Sequence, residues 1–124
     1  MSEPLQLVSS LKSVSMLVRE DQMSVWDGSF NASNLPALGK KPIPLSVTPR
    51  KFRTKYNVVG SASTDNLLLV FYAKNSPNGE QYWFLRNGKA ADDEEYTVGS
   101  FFDTMEIFYP ANTNQALLIT ITGA

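Results

Sequence analysis

The sequence predicts an all-β protein, an antiparallel β-sandwich or jelly roll of about seven or eight short strands. Three observations support this fold class. Apolar side chains recur with a period of two rather than 3.6 over most of the chain. Gly, Pro and Asn residues separate the apolar runs at short intervals. The chain has 124 residues, of which 43% are hydrophobic and 19% charged, as expected for a single domain with one core. A small closed barrel is the alternative.

The amino-terminal third, residues 1–42, is predicted to be an arm or hairpin and a long loop within the same domain. Residues 14–16 and 23–25 alternate like strands, although the apolar residues before position 20 also fit a helical stripe. The Asp27-Gly28 pair suits the end of a hairpin. Residues 28–42 are rich in Gly, Asn and Pro and are predicted to form the longest loop. The sandwich core is assigned to residues 43–124.

Two alternating segments open this core. Residues 43–48 predict an edge strand, because Pro42 and Pro44 cannot donate hydrogen bonds to a sheet. The second segment, 50–56, reads RKFRTKY. Successive side chains of a strand point to opposite faces of its sheet, so this strand separates two sets of residues. The inward set is Phe52, Thr54 and Tyr56, and the outward set is Lys51, Arg53 and Lys55.

Five further strands are predicted between turn-rich connections. They lie at residues 67–73, 81–85, 96–98, 101–109 and 116–122. The first of them, LLLVFYA, is apolar on both faces and is typical of a central strand. The turn residues at 75–79 join it to the next strand as a hairpin. The predicted shared interior consists of Phe52, Tyr56, Leu68, Val70, Tyr82, Phe84, Ile107, Leu117, Ile119 and Ile121. The pattern leaves open which face of residues 67–73 meets that interior.

The chain contains neither Cys nor His. Disulfides, thiolate nucleophiles, imidazole zinc ligands and Ser-His or Cys-His catalytic arrangements are therefore excluded. The four contiguous acids at 92–95 lack the alternating spacing and the sixth-position Gly of an EF-hand. The sequence predicts no enzymatic activity, no metal site and no cofactor.

Charge is distributed unevenly along the chain. Six of the eleven cations lie between residues 40 and 55, and six of the twelve anions lie between 92 and 106. Ordinary solvated charge is one explanation. Alternatively, regions of opposite sign meet between subunits arranged head to tail, which predicts a closed ring, with a trimer expected.

Two other partner classes are alternatives. Nucleic acid is disfavoured by a pI of about 5.3 and by the placement of Tyr56 on the face opposite the cations. Carbohydrate binding would require aromatic side chains on an exposed sheet face. The candidates for that role are Tyr72, Tyr82, Trp83 and Tyr109.

The candidate interface residues fall into three groups. Apolar residues in exposed segments gain stability only by burial against a partner. The apolar anchors are Leu5, Leu7, Trp26, Phe30 and Leu35. The basic group is Lys51, Arg53 and Lys55, and the acidic group is Asp92, Asp93, Glu94 and Glu95. For Trp26, packing against the core of its own chain is an equal alternative.

Residues 101–124, FFDTMEIFYPANTNQALLITITGA, resemble the closing strands of small all-β virion proteins of tailed bacteriophages. Head decoration or cement proteins and related tail components are the relevant members. Residues 66–73 and the hairpin that follows them to Arg86 are similar in style. The resemblance implies a structural role in which the protein binds a capsid or tail surface, often as a trimer, and bridges neighbouring virion subunits.

The expected location is therefore the virion, after synthesis in the host cytoplasm. Glu3 stands where a secretory signal would carry positive charge, so no signal peptide is predicted. The longest apolar run, residues 67–73, is too short to cross a bilayer. No membrane association is expected.

Overall fold

The computed structural model of the chain describes residues 11–26, 33, 35–56, 67–86, 94–99, 101–110 and 116–124, with the backbone alone at 55, 56, 86, 110 and 116. These residues form two β-sheets whose inner faces share a common core, so the predicted all-β sandwich is confirmed. Within the described ranges, no helix is long and apolar enough to span a membrane.

Nine strands are present in the described residues, slightly more than predicted. They are β1 (Lys12–Arg19), β2 (Ser24–Trp26), β3 (Ile43–Pro44), β4 (Pro49–Tyr56), β5 (Leu67–Ala73), β6 (Ser76–Arg86), β7 (Glu95–Thr97), β8 (Thr104–Pro110) and β9 (Ala116–Gly123). The first sheet has the order β1-β9-β4-β7, and the second has the order β2-β8-β5-β6 with β3 also paired to β8. All pairs are antiparallel except β2 with β8, which run parallel.

The chain crosses from the first sheet to the second between β1 and β2. A single 3-10 turn, Glu20–Gln22, makes the crossing, and the Arg19 backbone N–H donates to Gln22 Oε1 at 3.1 Å. Met23 follows this turn and is buried in the core between the sheets. Residues 14–16 lie in β1 and residues 24–25 in β2, and the two strands belong to different sheets because β1 pairs with β9 and β2 with β8.

The main core lies between the two sheets and is built from the inward side chains of β4, β5, β8 and β9. Its members include Phe52, Leu67, Leu69, Phe71, Met105, Ile107, Leu117, Ile119 and Ile121. A second cluster covers the other face of the second sheet and contains Trp26, Leu68, Val70, Tyr72 and Phe108. Both faces of β5 are thus buried, as predicted for a central strand.

The second cluster corrects one part of the predicted interior. Leu68 and Val70 were expected to share the core with Phe52, but they alternate with Leu69 and therefore point away from the first sheet. Tyr82 and Phe84 pack against the main core as predicted.

Several predicted boundaries also differ from the structure; the strand expected at 101–109, for example, begins at Thr104. The edge strand expected at residues 43–48 is only β3, which is followed by one more hydrogen bond in the same register, from the Leu45 N–H to the Asp103 carbonyl at 2.9 Å. The β5–β6 hairpin is confirmed, but its tight turn is Lys74–Asn75. Residues 77–80 instead form an irregularity within β6, since Ala73 pairs with Ser76 while Tyr72 pairs with Gln81.

Asp103 holds this hairpin against the start of β8. Its carboxylate accepts hydrogen bonds from the Lys74 backbone N–H at 2.9 Å and from the Thr104 hydroxyl at 2.7 Å. These hydrogen bonds, the one from Lys74 above all, hold the pKa of Asp103 below its ordinary value of 3.8. A carboxyl with a depressed folded pKa stabilises the fold above its unfolded pKa, and this stabilisation is lost as the pH falls through the folded pKa.

Replacing Asp103 with asparagine tests this pH dependence. We expect the substitution to lower the free energy of unfolding at pH 7 by about 0.5–1 kcal/mol, a small value because the carboxylate is exposed and screened by solvent. The difference from the parent chain should shrink as the pH falls below 3.8, the ordinary value, and should be lost once the pH is below the lower folded pKa, where the folded carboxyl of the parent is neutral too. Urea unfolding between pH 2 and pH 7 measures both effects. A difference that is constant over this range would contradict the assignment.

Candidate functional site

The outward surface of the first sheet carries a continuous set of polar side chains, which we name the polar face. Its described members are Ser13, Ser15, Lys51, Arg53, Glu95, Thr97, Thr120 and Thr122. They belong to β1, β9, β4 and β7, the four strands of the sheet in their spatial order. All of them lie on the side opposite the main core, because each alternates with a residue that faces inward.

Strand register arranges the polar face in two parallel rows. One row runs across the sheet through Ser13, Thr122, Lys51 and Thr97. The other row runs through Ser15, Thr120, Arg53 and Glu95. The first row therefore contains three hydroxyl groups and one cation, and the second contains two hydroxyl groups, one cation and one carboxylate.

The hydroxyl groups of β1 and β9 are paired across the strands. Ser13 Oγ lies 3.0 Å from Thr122 Oγ1, and Ser15 Oγ lies 2.7 Å from Thr120 Oγ1. Cross-strand hydrogen bonds of this kind stabilise a sheet modestly and fix the side-chain rotamers. This half of the polar face is consequently ordered before any partner arrives.

The charged half of the polar face contains two cations and one anion. Glu95 Oε1 lies 3.5 Å from Lys51 Nζ, and Glu95 Oε2 lies 3.8 Å from Arg53 Nε. The basic and acidic regions were expected to meet between subunits, but the pairing of β4 with β7 brings these three residues together within one chain. Each side chain is about half exposed, at 52% for the cations and 42% for the acid, so the ion pairs are weak and the cations stay accessible.

A shallow depression of about 220 Å³ lies between the two rows. It is lined by Ser13, Lys51, Phe52, Arg53, Glu95, Thr120 and Thr122. The ammonium, guanidinium and hydroxyl groups can all donate hydrogen bonds to a carboxylate or an amide oxygen of a partner. Among the described residues, no cluster of three acids could hold a metal ion.

The remaining predicted interface residues are dispersed or undescribed. Leu5, Leu7, Phe30, Asp92 and Asp93 lie outside the described residues, and so does the side chain of Lys55. Glu94 is exposed next to β7, and Leu35 is exposed in the segment that follows β2. The structure therefore brings together Lys51, Arg53 and Glu95.

Trp26 packs against its own chain. Its side chain is 5% exposed and belongs to the second cluster with Leu68 and Phe108. The indole N–H is buried and has no hydrogen-bond partner among the described residues. Of the two roles considered for Trp26, an interface anchor or a side chain packed in its own chain, the structure shows the second.

The aromatic residues considered for carbohydrate binding are mostly enclosed. Tyr72 and Tyr109 are buried. Tyr82 and Trp83 are half-buried and pack against the main core and the second cluster, respectively. A sugar-binding platform needs an aromatic ring whose face is open, and the buried Tyr72 and Tyr109 do not supply one.

Sequence reasoning missed a buried acid on β8. Glu106 was counted among the surface charges, but it is fully buried on the face of the second sheet that carries the second cluster. Its Oε2 accepts hydrogen bonds from the Tyr72 hydroxyl and from the Gly39 backbone N–H, the latter at 2.5 Å. Burial and the hydrogen bond to Glu106 raise the pKa of Tyr72. Glu106 Oε1 has no partner within the described part of the chain.

This buried acid attaches the segment around Gly39 to the second sheet. Gly39 has a φ of +96°, a conformation that L-residues with a side chain rarely adopt. The sequence contains one signal for the site, a single acid in the otherwise apolar run MEIFY of a strand covered on both faces. An acid at such a position requires internal hydrogen-bond donors.

The two polar sites differ in accessibility. Glu106 is enclosed by its own chain, whereas the cations of the polar face are half exposed on a rigid sheet. A macromolecular partner can reach the polar face without any rearrangement of the fold. Comparison with known proteins adds no further assignment: no protein-family model matches this chain, and no curated protein or solved structure is significantly similar to it.

Proposed function

We propose that this protein is a non-enzymatic structural component of a bacteriophage virion that binds a capsid or tail surface through its polar face. The observation that carries the proposal is the register of Lys51 and Arg53, which stand side by side on an exposed sheet with a single carboxylate between them. The resemblance of residues 66–86 and 101–124 to small virion proteins supports the choice of partner.

The polar face suits a protein surface with excess negative charge. Two cations and one anion leave a net positive charge on the face, so an acidic partner is attracted over a distance of about 8 Å at physiological salt. Arg53 offers a planar donor group for a carboxylate, and the neighbouring hydroxyls of Thr120 and Thr122 can hydrogen-bond to polar groups around it. Charge complementarity of this kind favours specificity and rapid association more than raw affinity.

We infer in addition that the chain acts as a homo-oligomer, with a trimer as the expected state. Decoration of a symmetric particle favours closed rings, because one ring then contacts several particle subunits at once. Light scattering over a range of concentrations measures the mass. A monomer mass at every concentration would contradict this part of the proposal.

Charge reversal of the polar face tests the proposed docking. We expect the double variant Lys51→Glu, Arg53→Glu to cosediment with virion particles at least about tenfold more weakly than the parent chain. The free energy of unfolding should change by less than about 0.5 kcal/mol, because both side chains are exposed. Sedimentation with purified particles, repeated at several salt concentrations, together with urea unfolding measures both quantities.

A matched control carries the same change in charge elsewhere. Lys40 and Lys41 are exposed in the segment that passes over the second sheet, so Lys40→Glu, Lys41→Glu should cosediment like the parent. Equal loss in both double variants would assign the effect to net charge alone and contradict docking through the polar face. Salt-sensitive binding of the parent to single-stranded DNA, without particle binding, would instead support the nucleic-acid alternative.

A further inference from the structure

One end of the first sheet forms an exposed rim. Because neighbouring strands are antiparallel, β1 and β4 begin where β9 and β7 end, with Lys12 and Pro49 both paired to Gly123. The Val98 N–H donates to the Arg50 carbonyl at 2.7 Å and extends the contact of β4 with the segment after β7. At the rim, the residues just before β1 and β4 therefore lie close to the residues just after β9 and β7.

A hollow of about 380 Å³ opens in this rim. Its lining is Thr48, Pro49, Arg50, Val98, Gly99 and Phe101. Phe101 is 82% exposed, the largest exposed fraction among the described large hydrophobic residues. An aromatic side chain buries a large apolar area when it is covered, so an uncovered Phe beside a hollow marks a contact surface.

Two further residues characterise the rim. Leu11 immediately precedes β1 and is 56% exposed, and the pairing of its neighbour Lys12 with Gly123 places it at this same end of the sheet. Arg50 is exposed in the hollow and forms no ion pair with a described acid. The rim thus offers apolar contact together with one available cation.

We propose that this hollow binds residues 3–8 of a second copy of the chain, so that neighbouring copies exchange their amino-terminal arms. The inference deepens the proposed function and rests on its homo-oligomeric part, because it names the partner segment and the site that receives it. Leu5 and Leu7 contact Phe101 and the apolar lining, and Glu3 pairs with Arg50.

The chemistry of the arm fits the rim. In the stretch EPLQLV, residues 3–8, Leu5 and Leu7 share one face when the chain is extended, because side chains alternate. Glu3 is the acid closest to them, and an extended segment separates Glu3 from Leu7 by about 13 Å. A contact surface with one cation beside apolar groups is complementary to a segment with one acid beside two leucines.

The geometry favours exchange over folding back. Phe101 is 82% exposed, so the described part of its own chain leaves the hollow open. The chain enters β1 at the rim, and an arm that continues the direction of this strand extends beyond its own sheet. When every copy gives one arm and receives one, the contact is heterologous and can close into a ring.

Engineered disulfides test the exchange in the full chain, which has no cysteine of its own. One chain carries Leu7→Cys and another carries Gly99→Cys, each with a different affinity tag, and the two are coexpressed and then oxidised. A Cβ at Gly99 would meet no atom within 4 Å, so this variant is expected to fold. We expect a disulfide between the two differently tagged chains, since a bond forms only when the Cα atoms lie within about 7 Å.

Controls separate the possible results. Leu7→Cys coexpressed with Leu17→Cys, an exposed site toward the opposite end of β1, should give no disulfide between the two differently tagged chains. Adding Phe101→Ser to the Gly99→Cys chain should lower the yield of the disulfide between the two chains at least about fivefold, because it removes the apolar contact. If a chain carrying both Leu7→Cys and Gly99→Cys closes only an internal bond, the arm folds back and the exchange is overturned. No bond in either arrangement overturns it as well.

The test also separates this inference from the proposed function. If the protein binds particles but no disulfide forms between the differently tagged chains, the arm exchange alone is overturned. If the disulfide forms between the differently tagged chains but the protein does not bind particles, the virion role is overturned and the arm exchange stands.

Discussion

Replacing Phe52 with alanine is expected to lower the free energy of unfolding by about 3–5 kcal/mol. Phe52 is 1% exposed on β4, and its ring lies at the centre of an aromatic cluster. The centroid of its ring is 5.1 Å from that of Phe71, 5.1 Å from that of Phe84 and 5.3 Å from that of Tyr96. Phe71 and Phe84 belong to the second sheet and Tyr96 to the first, so the substitution leaves a cavity between the sheets.

Urea unfolding followed by tryptophan fluorescence measures the loss. Domains of this size have a total stability of about 5–15 kcal/mol, so the variant should be close to unfolding at moderate temperature. Phe101→Ala is the matched control, because the chemical change is the same but the side chain is exposed. Its expected effect on the unassembled chain is below about 0.5 kcal/mol. Equal losses in the two variants would contradict the assignment of Phe52 to the core.

The second large effect is expected for Gly123→Ala at the end of β9. A Cβ at this position would lie 1.6 Å from the Thr48 carbonyl oxygen and 2.5 Å from the carbonyl carbon. Both atoms belong to the backbone, so β9 and the start of β4 must separate to relieve the clash. Separation breaks the two hydrogen bonds between Thr48 and Ala124, of 2.8 and 3.2 Å. We expect a loss of about 2–4 kcal/mol from the broken hydrogen bonds and the overpacking together.

Gly99→Ala provides the matched control for this prediction. No atom lies within 4 Å of a Cβ built at Gly99, and the substitution should change the free energy of unfolding by less than about 0.5 kcal/mol. Thermal and urea unfolding of both variants measures the contrast. A Gly123→Ala chain as stable as the parent would show that the strand ends are not in contact.

The individual strands were predictable because their side-chain pattern is local. In β4 the alternation of Phe52 and Thr54 with Lys51 and Arg53 matches the observed burial. In β5 the continuous apolar run matches a strand covered on both faces. Periodicity identifies these strands because one strand needs only its own residues to define its two faces.

Strand partners were less predictable because pairing is a long-range property. Residues 14–16 and 23–25 read as two strands, and the pattern could not show that they belong to different sheets. For the same reason, Glu95 was not expected beside Arg53, although the β4–β7 pairing makes them direct neighbours. The polar face therefore follows from the sequence only when the register is known.

The buried acid was missed for a different physical reason. A carboxylate is normally predicted to lie at the surface, because removing it from water is costly. The hydrogen-bond donors that compensate for the burial of Glu106 belong to Tyr72 and Gly39, which are both distant in sequence. The sequence left the facing of residues 67–73 open for a related reason, since an apolar run on both faces does not show which face meets the first sheet.

The position of β9 in the first sheet determines when that sheet can form during translation. β9 lies between β1 and β4, and residues 116–123 leave the ribosome after both of those strands. Until then β1 has no neighbour and β4 can pair only with β7, so the nascent chain carries unpaired strand edges of the kind that aggregate. Folding of the first sheet therefore waits for the synthesis of β9, and the nascent chain is open to recognition by chaperones until that strand is inserted.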